Sequence, residues 1–337
     1  MAGTESNYSL GIDFGGTKVL AAVVDLADGT VHGTAKKRTN AGDGPDELMA
    51  RLYEVADAAV KDANLGKKGQ ITGVGVGIAG QVDPREGILL GAPNLSQATV
   101  NLPMAKLLRE RFGVPAALRN DVQIAAMGEA RFGAGKGVDD FLCVFVGTGV
   151  GGAIVRDGRV IRGAGGSAGE IGHLVIHANG RLCGCGGRGH LEAYASRTAI
   201  TRSIMGDLRR GRQSSLARHM SELNADAPGG TALRSGMLAD AINEGDELAV
   251  EAIEDAGRYL GYGLASAINL LNPSKVILGG GVIEAVDLLF KVAESRARRE
   301  ALPAAAKRVE IVRAGLGDNS GVVGAAILGG EAAALPG

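Results

Sequence analysis

The chain has 337 residues, more than one hydrophobic core usually serves, so two lobes are the first expectation. Its 36 Lys and Arg against 37 Asp and Glu leave a net charge of −1, which excludes a global basic field for nucleic acid or an acidic membrane. Three cysteines exclude a disulfide framework, no run of 18 apolar residues spans a membrane, and Met1 leads into polar residues without an apolar signal, so a cytoplasmic protein is expected.

In chain order, "YSLGIDFGGTKVLAAVVDLADGTVHGTAKK" (8–37) reads as strand, Gly-Gly turn, strand, Asp-Gly turn, strand: an antiparallel meander. In "PDELMARLYEVADAAVKDA" (45–63), Leu48, Leu52, Val55, Ala59 and Val60 share one helical face. "ITGVGVGIAG" (71–80) is a buried strand ending in glycines, and a Pro-Asn turn at 93–94 precedes a helix over 101–113. "VPAALRND" (114–121) is a strand running into the helix 122–132. "FLCVFVGTGVGGAIVRDGRVI" (141–161) then repeats the logic of the first meander, with Thr17 and Thr148 in equivalent turns, as two lobes of related fold would require. Helices follow over 193–210 and 235–271, then a strand ending in glycines, "KVILGGGVI" (275–283). A closing helix over 319–334, capped by Asn319 or Ser320, is expected to return to the first lobe. The mixed order of strands and helices points to an α/β class with partly antiparallel sheets.

The 55 glycines gather at the ends of apolar runs, where backbone must come close to something. "GTGVGG" (147–152) matches the dinucleotide fingerprint formally, but a β-branched run follows it where that motif needs a helix. "GGTK" lacks the first glycine of a Walker loop. What remains is a pair of hairpin turns whose N–H groups and threonine hydroxyls can cradle phosphate oxygens. Asp13 before the first turn can orient Mg²⁺ or its waters, and Lys18 follows it.

Taken together, "GIDFGGTK", "VGTGVGG" and "ILGGG", in this order and spacing, make the chain resemble the ROK family (repressors, open reading frames and sugar kinases) over nearly its whole length. The resemblance implies a two-lobed actin-like ATPase (ribonuclease H-like) fold with mixed sheets and a cleft between the lobes. It divides the chain into 1–120 plus 319–337 and 121–318. It implies nucleotide contacts at Asp13, Gly15, Gly16, Thr17, Lys18, Gly147, Thr148, Gly149, Gly279, Gly280 and Gly281.

The resemblance puts the catalytic base on Asp121 of "RND", and a sugar hydroxyl attacking a γ-phosphate does need a proton acceptor. Read as residues alone, Asn-Asp before an apolar-periodic helix is equally an N-cap. Asn120, Glu170, His173 and Glu192 match the family's sugar-hydroxyl positions, with Gly80 and Asn94 as further contacts. For Glu192, an ordinary helix-start glutamate is the competing reading.

"CGCGGRGHLE" (183–192) has the wrong spacing for a C-x-x-C redox pair. The family motif, C-x-C-G-x-x-G-C-x-E preceded by Gly-His, ligates structural zinc through three cysteines and that histidine. This chain departs at the last cysteine, where His190 stands. The implied ligands are His173, Cys183, Cys185 and His190, with His177 as a secondary candidate and Cys143 a buried small hydrophobe.

The expected activity is ATP-dependent phosphorylation of a hexose 6-hydroxyl, glucose first, with Mg²⁺ and structural Zn²⁺ as cofactors. Kinases of N-acetylhexosamines or fructose, a sugar-responsive regulator and polyphosphate as donor are the alternatives. About nine residues precede the first strand, too few for the helix-turn-helix of the family's repressors. No nucleic-acid or membrane partner is expected, and the resemblance implies a homodimer.

Overall fold

The computed structural model describes residues 7–15, 18–39, 44–66, 70–92, 95–224 and 231–334. The chain forms two units, 1–137 with 158–168 and 318–337, and 138–157 with 169–317. The first thus includes residues 121–137 and 158–168, beyond the boundary expected after residue 120.

In the first unit, β1 (Tyr8–Phe14), β2 (Lys18–Asp25) and β3 (Val31–Arg38) form the antiparallel meander, and β1 then pairs in parallel with β4 (Ile71–Ile78), as β4 does with β7 (Ala116–Asn120). The sheet order is β3-β2-β1-β4-β7, with the small hairpin β5 (Gln81–Asp83) and β6 (Ile88–Gly91) beside it. Helix α1 (Pro45–Ala63) starts on a proline, carries Asp46 and Glu47 in its first turn and ends on left-handed Asn64, the signals expected at each end. It buries Leu48, Leu52, Val55 and Ala59 in a core shared with α2 (Met104–Phe112) and the sheet. On the other face lie α3 (Asp121–Phe132) and the late helix α11 (Ser320–Ala334). Gly11 of β1 and Gly73 and Gly75 of β4 lie directly under α11: a Cβ at any of them would run into the helix backbone at Val322, Gly329 or Ala325. That close approach explains a strand with glycine at every second position.

The second unit repeats the plan. Strands β8 (Phe141–Val146) and β9 (Val150–Arg156) form a hairpin, and β8 pairs in parallel with β11 (Lys275–Gly279), which pairs in parallel with β12 (Glu310–Arg313). After β9, Asp157 and Gly158 both take left-handed φ (51° and 69°), the paired geometry a tight hairpin turn needs, and lead to β10 (Arg159–Val160). As the sequence requires, a strand and not a helix follows the 147–149 glycines.

Two long helical stretches are interrupted. Extended Ser196 separates α4 (Glu192–Ala195) from α5 (Arg197–Arg209), and its hydroxyl caps α5 by accepting from Ala199 N. Gly245, at φ 79°, separates α6 (Ser235–Asn243) from α7 (Glu247–Leu271). The strand expected over 275–283 ends at Gly279, and Gly281 opens α8 (Gly281–Ala285). Helix α9 (Asp287–Glu300) packs along α7, and α10 (Pro303–Arg308) leads into β12. The second core is built from β8, β11, α7 and α9 and contains none of the first core's residues. Among the described residues no helix is long and apolar enough to cross a membrane.

Candidate active site and metal cluster

Strand register assembles the first unit's candidates. Pairing along β1, β4 and β7 aligns Asp13 with Gly77 and Arg119, then Phe14 with Ile78 and Asn120. Asp13, the Gly15 turn, Gly80 and the Asn120–Asp121 pair therefore gather at the carboxyl ends of three neighbouring parallel strands. That is the edge at which open α/β sheets bind ligands. A Cβ on Gly77 would strike the Ile124 side chain, so bare backbone there lets α3 sit tightly and brings its first residue, Asp121, to the sheet edge.

Asp13 is electrostatically strained. Loss of water around its carboxyl, then the negative charge of Asp121, push its pKa up to about 7, while Lys18 opposes and Asp318 adds to the rise. A Cβ on Gly321 would lie 2.5 Å from Asp13 Oδ2, so the start of α11 closes over this carboxylate only because residue 321 is glycine. Lys18 Nζ pairs with Asp318 Oδ2 at 3.0 Å across an exposed surface, a contact too solvated to hold it firmly. The Gly15 N–H donates to the Lys18 carbonyl at 3.0 Å; Gly16, Thr17 and Asn94 lie outside the described residues.

The cap of α3 is Asn120, not Asp121. The Asn120 side-chain oxygen accepts from Val122 N at 3.0 Å and Gln123 N at 3.3 Å, and its amide donates to the Gly80 carbonyl at 3.5 Å. Gly80 is itself pressed against the Gly91 and Ala92 backbone, where a Cβ has no room. Capping thus falls to the asparagine, and Asp121 occupies the first helical position, half-buried, with Oδ1 accepting from Val122 N at 3.0 Å.

In the second unit, Gly147, Thr148 and Gly149 join β8 to β9 and dock on the start of α5. The Gly147 carbonyl accepts from Arg197 N at 2.9 Å, the Thr148 carbonyl from Thr198 Oγ1 at 2.8 Å, and Thr148 Oγ1 from Arg197 Nη2 at 2.8 Å. With the carbonyls turned to α5, the N–H groups of Thr148 and Gly149 carry no hydrogen bond among the described residues. Register places Gly279 of β11 beside Phe145 of β8. Gly280, at φ 90°, presses on the Val146 backbone 2.6 Å from where its Cβ would be, so the third glycine segment abuts the root of this turn.

Glu192, first residue of α4, is more than a helix-start glutamate. Its Oε2 accepts from Val150 N at 3.0 Å, and its Oε1 accepts from the Cys183 thiol at 3.5 Å. Glu170 precedes the short turn ending at His173. Loss of water pushes the Glu170 carboxyl above its ordinary range, His173 opposes, and the Glu192 charge adds to the rise, so these three groups share one electrostatic neighbourhood.

Donor atoms of His173, Cys183, Cys185 and His190 all lie within 4.8 Å of one another. Cys185 Sγ is 3.1 Å from His190 Nδ1, and Cys183 Sγ is 3.9 Å from His173 Nδ1. A tetrahedral ion at about 2.3 Å from sulfur and about 2.0–2.1 Å from nitrogen needs donors roughly 3.3–3.8 Å apart, so the four fit one ion after small adjustments. The loop is pre-folded: Cys183 N donates to the Gly187 carbonyl, Gly189 N to the Arg181 carbonyl, and left-handed Gly186 and Gly189 turn the chain. Burial pushes the Cys183 thiol up to about 12, so a bound cation is what would make it a thiolate at neutral pH. His177 stands outside the cluster, stacked on Tyr194 with its Nδ1 at 3.1 Å from the Ala178 carbonyl. Cys143 is fully buried on β8.

Compared with known families, residues 9–331 match the model of the ROK family. The chain belongs to the ROK family. It is 34% identical over 318 residues to the glucokinase of Halalkalibacterium halodurans, covering 94% of this chain and 93% of that one. A ROK family glucokinase from Streptomyces griseus, solved in complex with glucose and AMPPNP, superposes with a TM-score of 0.80 at 32% identity, covering 96% of this chain and 99% of that one. The N-acetylglucosamine repressor of Escherichia coli is 30% identical over 325 residues, 96% of this chain and 75% of the repressor. The fold is accordingly the actin-like ATPase fold of the ROK sugar kinases.

Two features of this ROK chain escaped the sequence reading. The bridge from Glu192 to Val150 has no sequence signal, because residues 42 apart meet only through folding. Nor did Arg197 leave one, because its place at the first position of α5 depends on the break at Ser196, which the helical pattern runs across.

Proposed function

We propose that this ROK protein is an ATP-dependent hexose kinase that transfers the γ-phosphoryl group of ATP to the 6-hydroxyl of glucose. The observation that carries the reading is the gathering of Asp13, Gly80 and the Asn120–Asp121 pair at the carboxyl ends of three neighbouring parallel strands. The glucokinase relatives, matched over nearly their whole length, support it.

Asp121 would accept the proton of the attacking hydroxyl as the new oxygen–phosphorus bond forms and the bond to the departing ADP oxygen breaks. A loose transition state asks more of the base's position than of its strength, so a carboxylate fixed at the start of a helix suits the role. Asn120, held by its cap and by Gly80, together with Asn94, Glu170, His173 and Glu192, would supply paired donors and acceptors for sugar hydroxyls. The Gly15–Lys18 turn and the Gly147–Gly149 turn would take phosphate oxygens, and Gly279–Gly281 the adenosine. Asp13 would orient Mg²⁺ or its waters, and that ion would supply neutralisation of phosphate charge.

His173, Cys183, Cys185 and His190 would hold Zn²⁺. Two thiolates and two imidazoles fill a tetrahedral shell, leave no position for water and assign that ion a bracing role. A homodimer in the cytoplasm completes the reading.

A coupled ADP-release assay with ATP or polyphosphate as donor, across hexoses, fructose and N-acetylhexosamines, tests the proposal. Glucose should be at least as good a substrate with ATP as any N-acetylhexosamine. The repressor relative makes the N-acetyl sugars the informative competitors, and a tenfold higher kcat/KM for one of them would replace glucose. No turnover of any sugar with either donor would remove the kinase reading.

A further inference from the structure

Arg197 is hard to explain as scaffolding. It stands at the first position of α5, a 13-residue helix, where its charge opposes the dipole. Loss of water pulls its pKa below the ordinary arginine value, and its buried Nε has no hydrogen-bond partner. Its Nη2 donates to Thr148 Oγ1 at 2.8 Å, while its own N–H holds the Gly147 carbonyl at 2.9 Å.

A guanidinium has donors only, so in this contact the Thr148 oxygen must accept. The Thr148 proton is then turned away from Arg197 and is available to an acceptor beyond the turn. We propose that Arg197 is a positioning residue for nucleotide binding: by donating to Thr148 Oγ1 it fixes that hydroxyl as a donor toward a phosphate oxygen, and an anion so placed offsets the buried positive charge. The inference rests on the reading of the 147–149 turn as a phosphate cradle. The Thr198 hydroxyl, engaged by the Thr148 carbonyl, holds the same turn from the other side, so the threonine has little freedom to turn elsewhere.

The test is a mutant cycle on the whole chain, read by calorimetry of a non-hydrolysable MgATP analogue without sugar, and of glucose without nucleotide. Arg197→Met should weaken nucleotide binding about tenfold or more, the effect expected for a lost charge-assisted hydrogen bond. Glucose affinity should stay within about twofold. Arg197→Lys, which keeps the charge and a donor, should recover part of the loss; it also guards against a Met variant that folds poorly. In a Thr148→Val background, Arg197→Met should add little. An Arg197→Met variant that binds nucleotide like the parent, loses both ligands equally, or adds its full effect to Thr148→Val overturns the positioning role alone. If Thr148→Val itself binds nucleotide like the parent, the phosphate reading of the turn falls and this inference falls with it.

Discussion

Asp13 carries a burden that depends on pH. Its folded pKa is about 7 against an ordinary 3.8, so the folded chain holds this proton more tightly than the unfolded one. The stability Asp13 contributes is full below about pH 4 and is lost as pH rises through about 7. Asp13→Asn, which mimics the protonated form, should melt near the parent at or below about pH 4, rise above it progressively between about pH 4 and 7, and stay a few °C above it at pH 8, by scanning fluorimetry. A constant difference across that range would overturn the burial argument. Asp121 makes the opposite case, since its expected contribution is to turnover. Asp121→Asn keeps the size and a hydrogen-bonding group but cannot take a proton, so kcat should fall by about 10²-fold or more while glucose affinity measured by calorimetry holds. Retention of more than about a tenth of kcat would refute the base assignment.

Among the elements, the longer β-strands and glycine turns were legible because period-two apolar runs and Asp-Gly or Gly-Thr turns carry their own signals, whereas the short β5, β6 and β12 were not read. The breaks at Ser196 and Gly245 were not, since the apolar pattern runs across both and only a local cap or a left-handed residue marks them. The four metal-ligand candidates were legible as a set, because the C-x-C spacing and the nearby histidines are local, and the fold brings them together. Their link to the 147–149 turn was not, because it passes through the carboxylate of Glu192 to Val150. His190→Ala should therefore lower bound zinc by elemental analysis and raise the sugar KM. It should also speed hydrogen exchange at both 183–192 and Val150; exchange confined to the loop would mean that Glu192 transmits nothing. At the sheet, Gly75→Ala adds a methyl where the Ala325 backbone of α11 already stands, and should cost about 1–3 kcal/mol or more in denaturant unfolding. A neutral result would mean that α11 can lift from β4.

For the molecule as a whole, two units with separate cores make a single unfolding free energy unsafe. Calorimetry should resolve more than one transition, or a van't Hoff enthalpy well below the calorimetric one; equal enthalpies would mean that the cores melt as one. The closing helix was expected from sequence to return to the first lobe, and α11 does cover β1, β4 and α3. That arrangement has a consequence for the order of events during synthesis. The first unit's strands emerge early, yet the face of β1 and β4 that α11 covers has no lid until residues 320–334 are made, after every residue of the second unit. Domains usually fold in the order they leave the ribosome. In this chain the unit begun first is finished last, so through most of translation the glycine-lined face of β1 and β4 waits uncovered. A released chain truncated after residue 317 should have a protease-resistant second unit and a cleavable first one.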